Sequence, residues 1–362
     1  MSTFADDFFK VIKDKNTSIV HDRKGAAEFA GFIDTGCYAL NALLSASIYG
    51  GVADNKLGMF AGEPSSGKTY LALSVVKSHL DADAQNIVVY YDTEAAVTAD
   101  MMESRGIDTK RVILNEPTTI QQFRTHAINV FDKYIEARDA GKKVGKMLVI
   151  LDSYGQLSTT KELEDSTAGN ETRDMTKAQV GKATFRLLTL KAARATVPVL
   201  ITNHVYDSLD MYSPKKISGG SGGIYSSSYI ISLSKSKDKD KKTGKIGGVL
   251  IKCTNTKQRL AKENANVTVK LDYAKGLDKY YGLLPFAEAS GAFKKVSTKY
   301  ELPNGKTEFG VTIEKNPEKY FTPEVLEKIE AWVNKEFAYG GSEWEDETTD
   351  AEVDEVAATL AE

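Results

Sequence analysis

Cysteine is nearly absent from this sequence of 362 residues. Cys37 and Cys253 stand far apart and in no metal-ligand spacing, which argues against a disulfide framework and a structural zinc site and points to a reducing compartment. Long apolar runs are missing too. The opening stretch MSTFADDFFKVIKDK lacks the core of a signal peptide, and nothing elsewhere approaches the roughly eighteen apolar residues of a membrane span. A soluble cytoplasmic protein with no membrane partner is expected. No internal period marks a solenoid. An excess of charge of one sign is also lacking, with 47 Lys and Arg against 50 Asp and Glu, but the balance is uneven. Residues 343–362 hold nine carboxylates and no Lys or Arg, so the rest of the chain carries about +6. A basic body with an acidic tail leaves a polyanionic partner open.

What is present reads as an α/β protein. Short apolar runs at 57–61, 87–91, 147–151 and 197–202 alternate with helical stretches, the pattern of a mostly parallel sheet with crossover helices. Three further runs, at 229–233, 249–253 and 267–271, have no long helix between them and predict antiparallel extensions of the same sheet. Leu71, Val75, Val76 and His79, and Ile120, Phe123, Ile128, Phe131 and Ile135, fall at helical spacing and read as core. Residues 1–30 comprise a linker and an N-terminal helix whose Phe4, Phe8 and Ile12 share one face. That stripe needs cover, from its own domain or from a neighbouring subunit. The main domain spans 31–282. A small α+β domain follows at 283–340, with a turn at Pro303-Asn304-Gly305 and a helix opened by Thr322 as N-cap and Pro323. The tail at 341–362 is expected to be disordered.

Gly62-Glu63-Pro64-Ser65-Ser66-Gly67-Lys68-Thr69 fits G-x-x-x-x-G-K-[ST] directly after a strand and at the opening of a helix. Loop amides then face phosphates, Lys68 neutralises their charge, and the Thr69 hydroxyl ligates magnesium. Tyr70 continues the nucleotide-contacting stretch. The run MLVILDS ends in Asp152, the expected magnesium partner, directly or through water. The strand at 87–91 ends in Asp92-Thr93-Glu94, and Glu94 at the carboxyl edge is the candidate base for the attacking water. VPVLITNH ends in Asn203-His204 at the same edge. Residues 205–218 follow, polar with Tyr206, Met211, Tyr212, Lys215 and Lys216, and then Ser218-Gly219-Gly220-Ser221-Gly222-Gly223, a glycine-hinged segment mixing cations and apolar side chains.

Together these pieces resemble the RecA family of homologous recombinases, and within it the UvsX-like strand-exchange recombinases of tailed bacteriophages. The likeness covers roughly residues 30–290 and rests on order. Asp34-Thr35-Gly36, GEPSSGKT, YYDTE, VILDS, ITNH, SGGSGG with Ile224-Tyr225, and Lys257-Gln258-Arg259 come in family sequence, completed by Asp272, Gly276-Leu277-Asp278 and Tyr281-Gly282-Leu283-Leu284. The resemblance implies a RecA-like P-loop ATPase core using ATP and Mg2+. It makes Glu94 the water activator, His204 a sensor of the γ-phosphate, and Lys257 and Arg259 cations that reach a neighbour's ATP. It also implies two DNA-binding loops, at about 158–175 and 205–222, in which Lys161, Arg173, Tyr206, Tyr212, Lys215, Lys216, Gly219 and Gly220 are candidates.

The implied activity is ATP-dependent homologous pairing and strand exchange by a helical filament on single-stranded DNA, with homologous duplex DNA, single-strand-binding proteins and mediators as partners. A ring helicase or translocase on the same fold is the alternative. One position departs from the family pattern: Met101 stands where a Tyr commonly stacks on adenine, and a Met can still cover a ring face. The Lys-rich run at 235–245 reads as a solvated hairpin tip or a secondary duplex contact.

Overall fold

The computed structural model describes residues 4–12, 31–169, 176–206, 216–239, 246–273 and 275–338. Helix α1 (Phe4–Ile12) precedes a two-stranded sheet of β1 (Phe32–Ile33) and β2 (Val52–Ala53), with α2 (Tyr38–Ser45) between them. The core then alternates: β3 (Leu57–Gly62), α3 (Lys68–Ala82), β4 (Ile87–Asp92), α4 (Ala99–Glu103), β5 (Val112–Asn115), α5 (Ile120–Asp139), β6 (Met147–Asp152), α6 (Thr160–Thr167), α7 (Lys177–Ala195), β7 (Val199–Tyr206). Next come β8 (Lys216–Ile217), α8 (Ser221–Ser226), β9 (Tyr229–Lys239), β10 (Ile246–Gln258), β11 (Asn266–Asp272) and β12 (Gly276–Leu277). The last stretch holds α9 (Leu283–Ala289), a sheet of β13 (Lys294–Val296), β14 (Lys299–Glu301) and β15 (Thr307–Phe309), and α10 (Gly310–Lys315), α11 (Pro317–Tyr320) and α12 (Pro323–Glu336).

Strands β3 to β12 form one sheet in the order β12-β11-β10-β9-β3-β7-β6-β4-β5, with β8 paired to β7. Its β9-β3-β7-β6-β4-β5 part is parallel and β10, β11 and β12 extend it antiparallel, so the runs at 249–253 and 267–271 pair as expected while the run at 229–233 does not: β9, entered from the short helix α8, joins β3 in parallel. Strands buried on both faces are apolar without interruption, and their side chains divide by alternation. In β6, Met147, Val149 and Leu151 pack with α5 and α7, whereas Leu148 and Ile150 face α3. The α5 stripe is Ile120, Phe123, Ala127 and Phe131, with small Ala127 rather than Ile128 buried where the helix meets the sheet. Capping boxes open α5 (Thr119 with Gln122) and α6 (Thr159 with Glu162).

Several expectations change. Phe4 and Phe8 stack on each other at 5.8 Å and are 84% and 55% exposed, so the described residues leave this stripe uncovered. The first expected loop opens as helix α6, because its capping box satisfies the first-turn amides. Lys235 and Lys237 lie within β9 rather than at a hairpin tip, since β9 and β10 stay paired out to Lys239 and Ile246; residues 240–245 lie outside the described residues. Thr322 precedes α12 but makes no side-chain capping bond. The segment after Gly282 shares one continuous apolar cluster with α2, α3 and the sheet, from Leu40 and Phe60 to Ile329 and Phe337. The Glu330 carboxylate accepts from the Ser47 hydroxyl at 2.6 Å and the Ile48 amide at 2.7 Å. The acidic tail lies outside the described residues.

Candidate nucleotide-binding site

Register places the chemistry. Gly62 pairs with His204 across β3 and β7, and Asp92 with Asp152 across β4 and β6, so four strand ends meet at one carboxyl edge. From Gly62 the chain curls tightly: a Cβ there would come within 2.5 Å of Ser66 Oγ and 2.9 Å of Leu233 O. Gly67 caps α3 at φ 97°, a left-handed conformation suited to glycine. Glu63, Pro64 and Ser65 form the exposed tip. Buried Lys68 donates from Nζ to Gly62 O at 3.0 Å and Glu63 O at 2.9 Å, and burial lowers its pKa against the pull of Glu94 and Asp152. Thr69 and Tyr70 follow in the first turn of α3, whose amides have no intrahelical acceptors. The Ser66 hydroxyl is buried without a hydrogen-bond partner. A glycine-tight loop, an ammonium, free helix amides and an orphan hydroxyl fit a polyphosphate.

The carboxylates differ in their engagement. Asp92 shapes the turn, accepting from Glu94 N at 3.0 Å and Val97 N at 2.9 Å. Asp152 is buried and accepts from Tyr90 OH at 2.7 Å and from the Thr202 hydroxyl. Hydroxyls on both oxygens fit a carboxylate that holds a cation through its waters, as magnesium commonly allows. Among the described residues no three His, Cys, Asp or Glu cluster as a metal set, so phosphate oxygens and Thr69 would have to complete the shell. Glu94 projects from the turn, and its Oε1 accepts from Ser153 Oγ at 2.6 Å and His204 Nε2 at 2.8 Å. Burial pushes the Glu94 carboxyl up, but Ser153, His204 and Lys68 outweigh it and hold its pKa below the usual value. Ser153 is fixed in turn: its amide donates to Thr93 Oγ1 at 2.8 Å, and that hydroxyl donates to Ser153 O at 2.7 Å.

His204 joins the halves. Its Nε2 faces Glu94, and its Nδ1 lies 3.5 Å from Lys68 Nζ, so the neighbours select a proton on Nε2 and a lone pair on Nδ1. Behind it, Asn203 Nδ2 donates to Ser218 O at 2.8 Å and Ser218 N to His204 O at 2.9 Å, tying the returning segment to the end of β7. The sequence reading brought Lys68, Glu94, Asp152 and His204 to this edge, and the structure brings them together. It gave no role to Tyr90, Ser153 or Thr202, which stand inside the YYDTE, VILDS and ITNH pieces, because a lone hydroxyl does not disclose its partner across the sheet.

The remaining candidates lie further out. Met101 and Tyr70 are each half-buried against the same apolar cluster, and Arg105 lies 4.3 Å over the Tyr70 ring while donating to Met101 O at 2.5 Å. Lys257 donates to Ile224 O at 2.6 Å and Tyr225 O at 3.0 Å, and Arg259 to Tyr225 O at 3.3 Å, so both turn toward the C-terminal end of α8 and not toward the phosphate loop of their own chain. Lys161 is exposed on α6, Tyr206 is 54% exposed, and Lys216 is exposed in β8. Gly219 and Gly220, both at positive φ, lead into α8. Arg173, Tyr212 and Lys215 lie outside the described residues. No helix among the described residues is long and apolar enough to cross a membrane.

A P-loop nucleotide-binding α/β protein is the class that this fold and edge define. Residues 14–278 match the RecA N-terminal domain family, and the chain belongs to the RecA family. It is 30% identical over 248 residues to the recombination and repair protein of Enterobacteria phage T4, a span of 68% of this chain and 61% of the relative. Protein RecA of Thermus aquaticus is 26% identical over 311 residues, 83% of this chain and 84% of its own, and Protein RecA of Bifidobacterium breve 25% over 348, 90% and 80%.

Proposed function

We propose that this chain is an ATP-dependent DNA recombinase that assembles as a helical filament on single-stranded DNA and pairs it with homologous duplex. The observation that carries the reading is the junction of Lys68, His204 and Glu94, which joins the phosphate loop to the segment leading through Ser218 to the Gly219-Gly220 hinge. A ligand that rearranges the first two can therefore change the third. Lys68, the loop amides and Thr69 would hold the triphosphate, with Asp152 behind the magnesium. The cation supplies charge neutralisation on the phosphates when bound. Glu94 orients and deprotonates the attacking water, and His204 reports the γ-phosphate. Lys161, Tyr206, Lys216 and the glycine hinge supply DNA contacts by charge and stacking, together with Arg173, Tyr212 and Lys215. Single-strand-binding and mediator proteins are the further partners this activity calls for.

Joint-molecule formation between single-stranded DNA and a supercoiled duplex, with ATP and magnesium, tests the whole. Joints with homologous and not with heterologous duplex are expected. DNA-stimulated hydrolysis without joints would shift the reading to a translocase.

Lys257 and Arg259 act across the subunit interface in this proposal, on the neighbour's nucleotide. Their present acceptors, the carbonyls of Ile224 and Tyr225, are neutral, and a polyphosphate is a stronger acceptor for the same cations. Lys257→Ala and Arg259→Ala each lower DNA-stimulated hydrolysis about tenfold, the scale of one charge-assisted hydrogen bond. Steady-state turnover with saturating single-stranded DNA measures it. Undiminished turnover in both variants removes the trans assignment.

A further inference from the structure

The Asp152–Ser153 strand end and the glycine hinge are linked a second time, by a side chain that neither the nucleotide nor the DNA reading uses. Tyr154 follows Ser153 directly. It is 1% exposed, its ring meets Phe185 of α7 edge-on at 4.7 Å and 69°, and its hydroxyl donates to Gly219 O at 3.3 Å. Two glycines make room for it. A Cβ at Gly181 would lie 2.1 Å from the Tyr154 hydroxyl, and one at Gly219 would lie 2.3 Å from the ring edge. The next residue continues the contact, since a Cβ on Gly155 would come within 2.9 Å of Asn203 Oδ1 and 3.2 Å of Ser218 Oγ. The chain leaving β6 is thus seated against 218–219, where the second loop returns. Glu94 touches both routes to that point, through Ser153 just after β6 and through His204 on β7.

We propose that Tyr154 is a positioning residue that fixes the Gly219-Gly220 hinge to the end of β6, so that the hinge follows the nucleotide site through this hydroxyl in parallel with the His204 route. The inference rests on the reading of 205–222 as a DNA-binding loop. A hinge at two glycines of positive φ has little stiffness of its own, so its orientation is set by what holds its carbonyls. In this chain those holders are Asn203 on Ser218 and Tyr154 on Gly219. Movement of Ser153 with Glu94 is passed to Gly219 across one buried ring, and a packed aromatic transmits displacement with little slack.

Tyr154→Phe tests this, because it removes the hydroxyl and keeps the ring on Phe185. Affinity for fluorescent oligo(dT) is measured with a non-hydrolysable ATP analogue and with ADP. The ratio of the two falls about fivefold in the variant, the scale of one net hydrogen bond, while the KM for ATP and the DNA-independent rate stay at wild-type values. Gly181→Ala reaches the same end by displacement, pushing the hydroxyl off Gly219 in an otherwise normal chain, and shows the same fall. In the double variant the Ala methyl keeps Tyr154 Cζ at 3.4 Å and Gly219 O at 3.8 Å, both ordinary contacts, so thermal stability lost in Gly181→Ala returns while the reduced ratio persists. A purely structural Tyr154 predicts the opposite pairing, a ratio that recovers together with stability. An unchanged ratio in Tyr154→Phe overturns the inference with the function intact, whereas wild-type protein whose DNA affinity ignores nucleotide overturns both.

Discussion

Glu94→Gln lowers ATP hydrolysis by about two to four orders of magnitude, the usual worth of a positioned general base, without loss of folding or of DNA binding with ATP. The substitution is nearly isosteric, and the carboxamide oxygen can accept from Ser153 Oγ and His204 Nε2 as Oε1 does at 2.6 and 2.8 Å. What is lost is the basic oxygen. Because Ser153, His204 and Lys68 hold the carboxyl below its ordinary pKa against the effect of burial, Glu94 is ionised throughout the neutral range. The wild-type rate is therefore insensitive to this group at neutral pH and falls only as pH drops through the depressed value. Its contribution to stability has the same sign, present above the unfolded-state carboxylate pKa and lost as pH falls. Single-turnover hydrolysis across pH separates the two enzymes: the variant lacks the acid limb and stays slow everywhere. A variant within about threefold of wild type would reassign the base.

Lys68→Ala removes hydrolysis by about a hundred- to a thousandfold and abolishes nucleotide-dependent DNA affinity. The ammonium sits on the carbonyls of Gly62 and Glu63, so it braces the loop from within and lies inside the curl where phosphate charge would gather. Burial lowers its pKa, which marks a cation held where water solvates it poorly and where an incoming anion gains the most. Ala leaves two carbonyls without this donor, at a cost of about 1–3 kcal/mol each at most, offset where water enters the opened loop. Isothermal titration with ATP and magnesium reads the loss directly, and thermal melting shows that the core persists. Binding within threefold of wild type would mean that the loop amides alone suffice.

The phosphate loop was legible in the sequence because its geometry demands particular residues at fixed spacing. The carboxylates Asp152 and Glu94 were legible only beside that loop, since an acid at or just past the end of an apolar run is by itself as often a helix cap or a turn residue. The clamps on them were not. Tyr90, Ser153 and Thr202 act across strands, and their partnership depends on register, such as Asp92 opposite Asp152, which a linear reading does not contain. Tyr154 was silent for the same reason, since its meaning lies in the space left by Gly181 and Gly219. Helix α6 was overlooked because polar residues with one capping box, Thr159 and Glu162, look like loop until the amides are counted. The direction of Lys257 and Arg259 was set by a loop helix too short and too rich in glycine to declare itself.

The family match ends at residue 278, yet the apolar cluster runs on to Phe337. Glu330 holds Ser47 and Ile48 near the beginning of the core, and Lys262 N donates to Phe337 O at 2.7 Å near its end. The last sixty or so described residues are thus stitched to the first forty rather than hung after them. Exchange between relatives is constrained accordingly. A crossover placed at the homology boundary would join one half of a core to another lineage's other half, and carboxylate, amide and ring would each meet a stranger. Diversification of the C-terminal segment must therefore proceed residue by residue on its outer face, where Lys294, Lys295 and Lys306 stand exposed, while its inner face drifts only in step with α2.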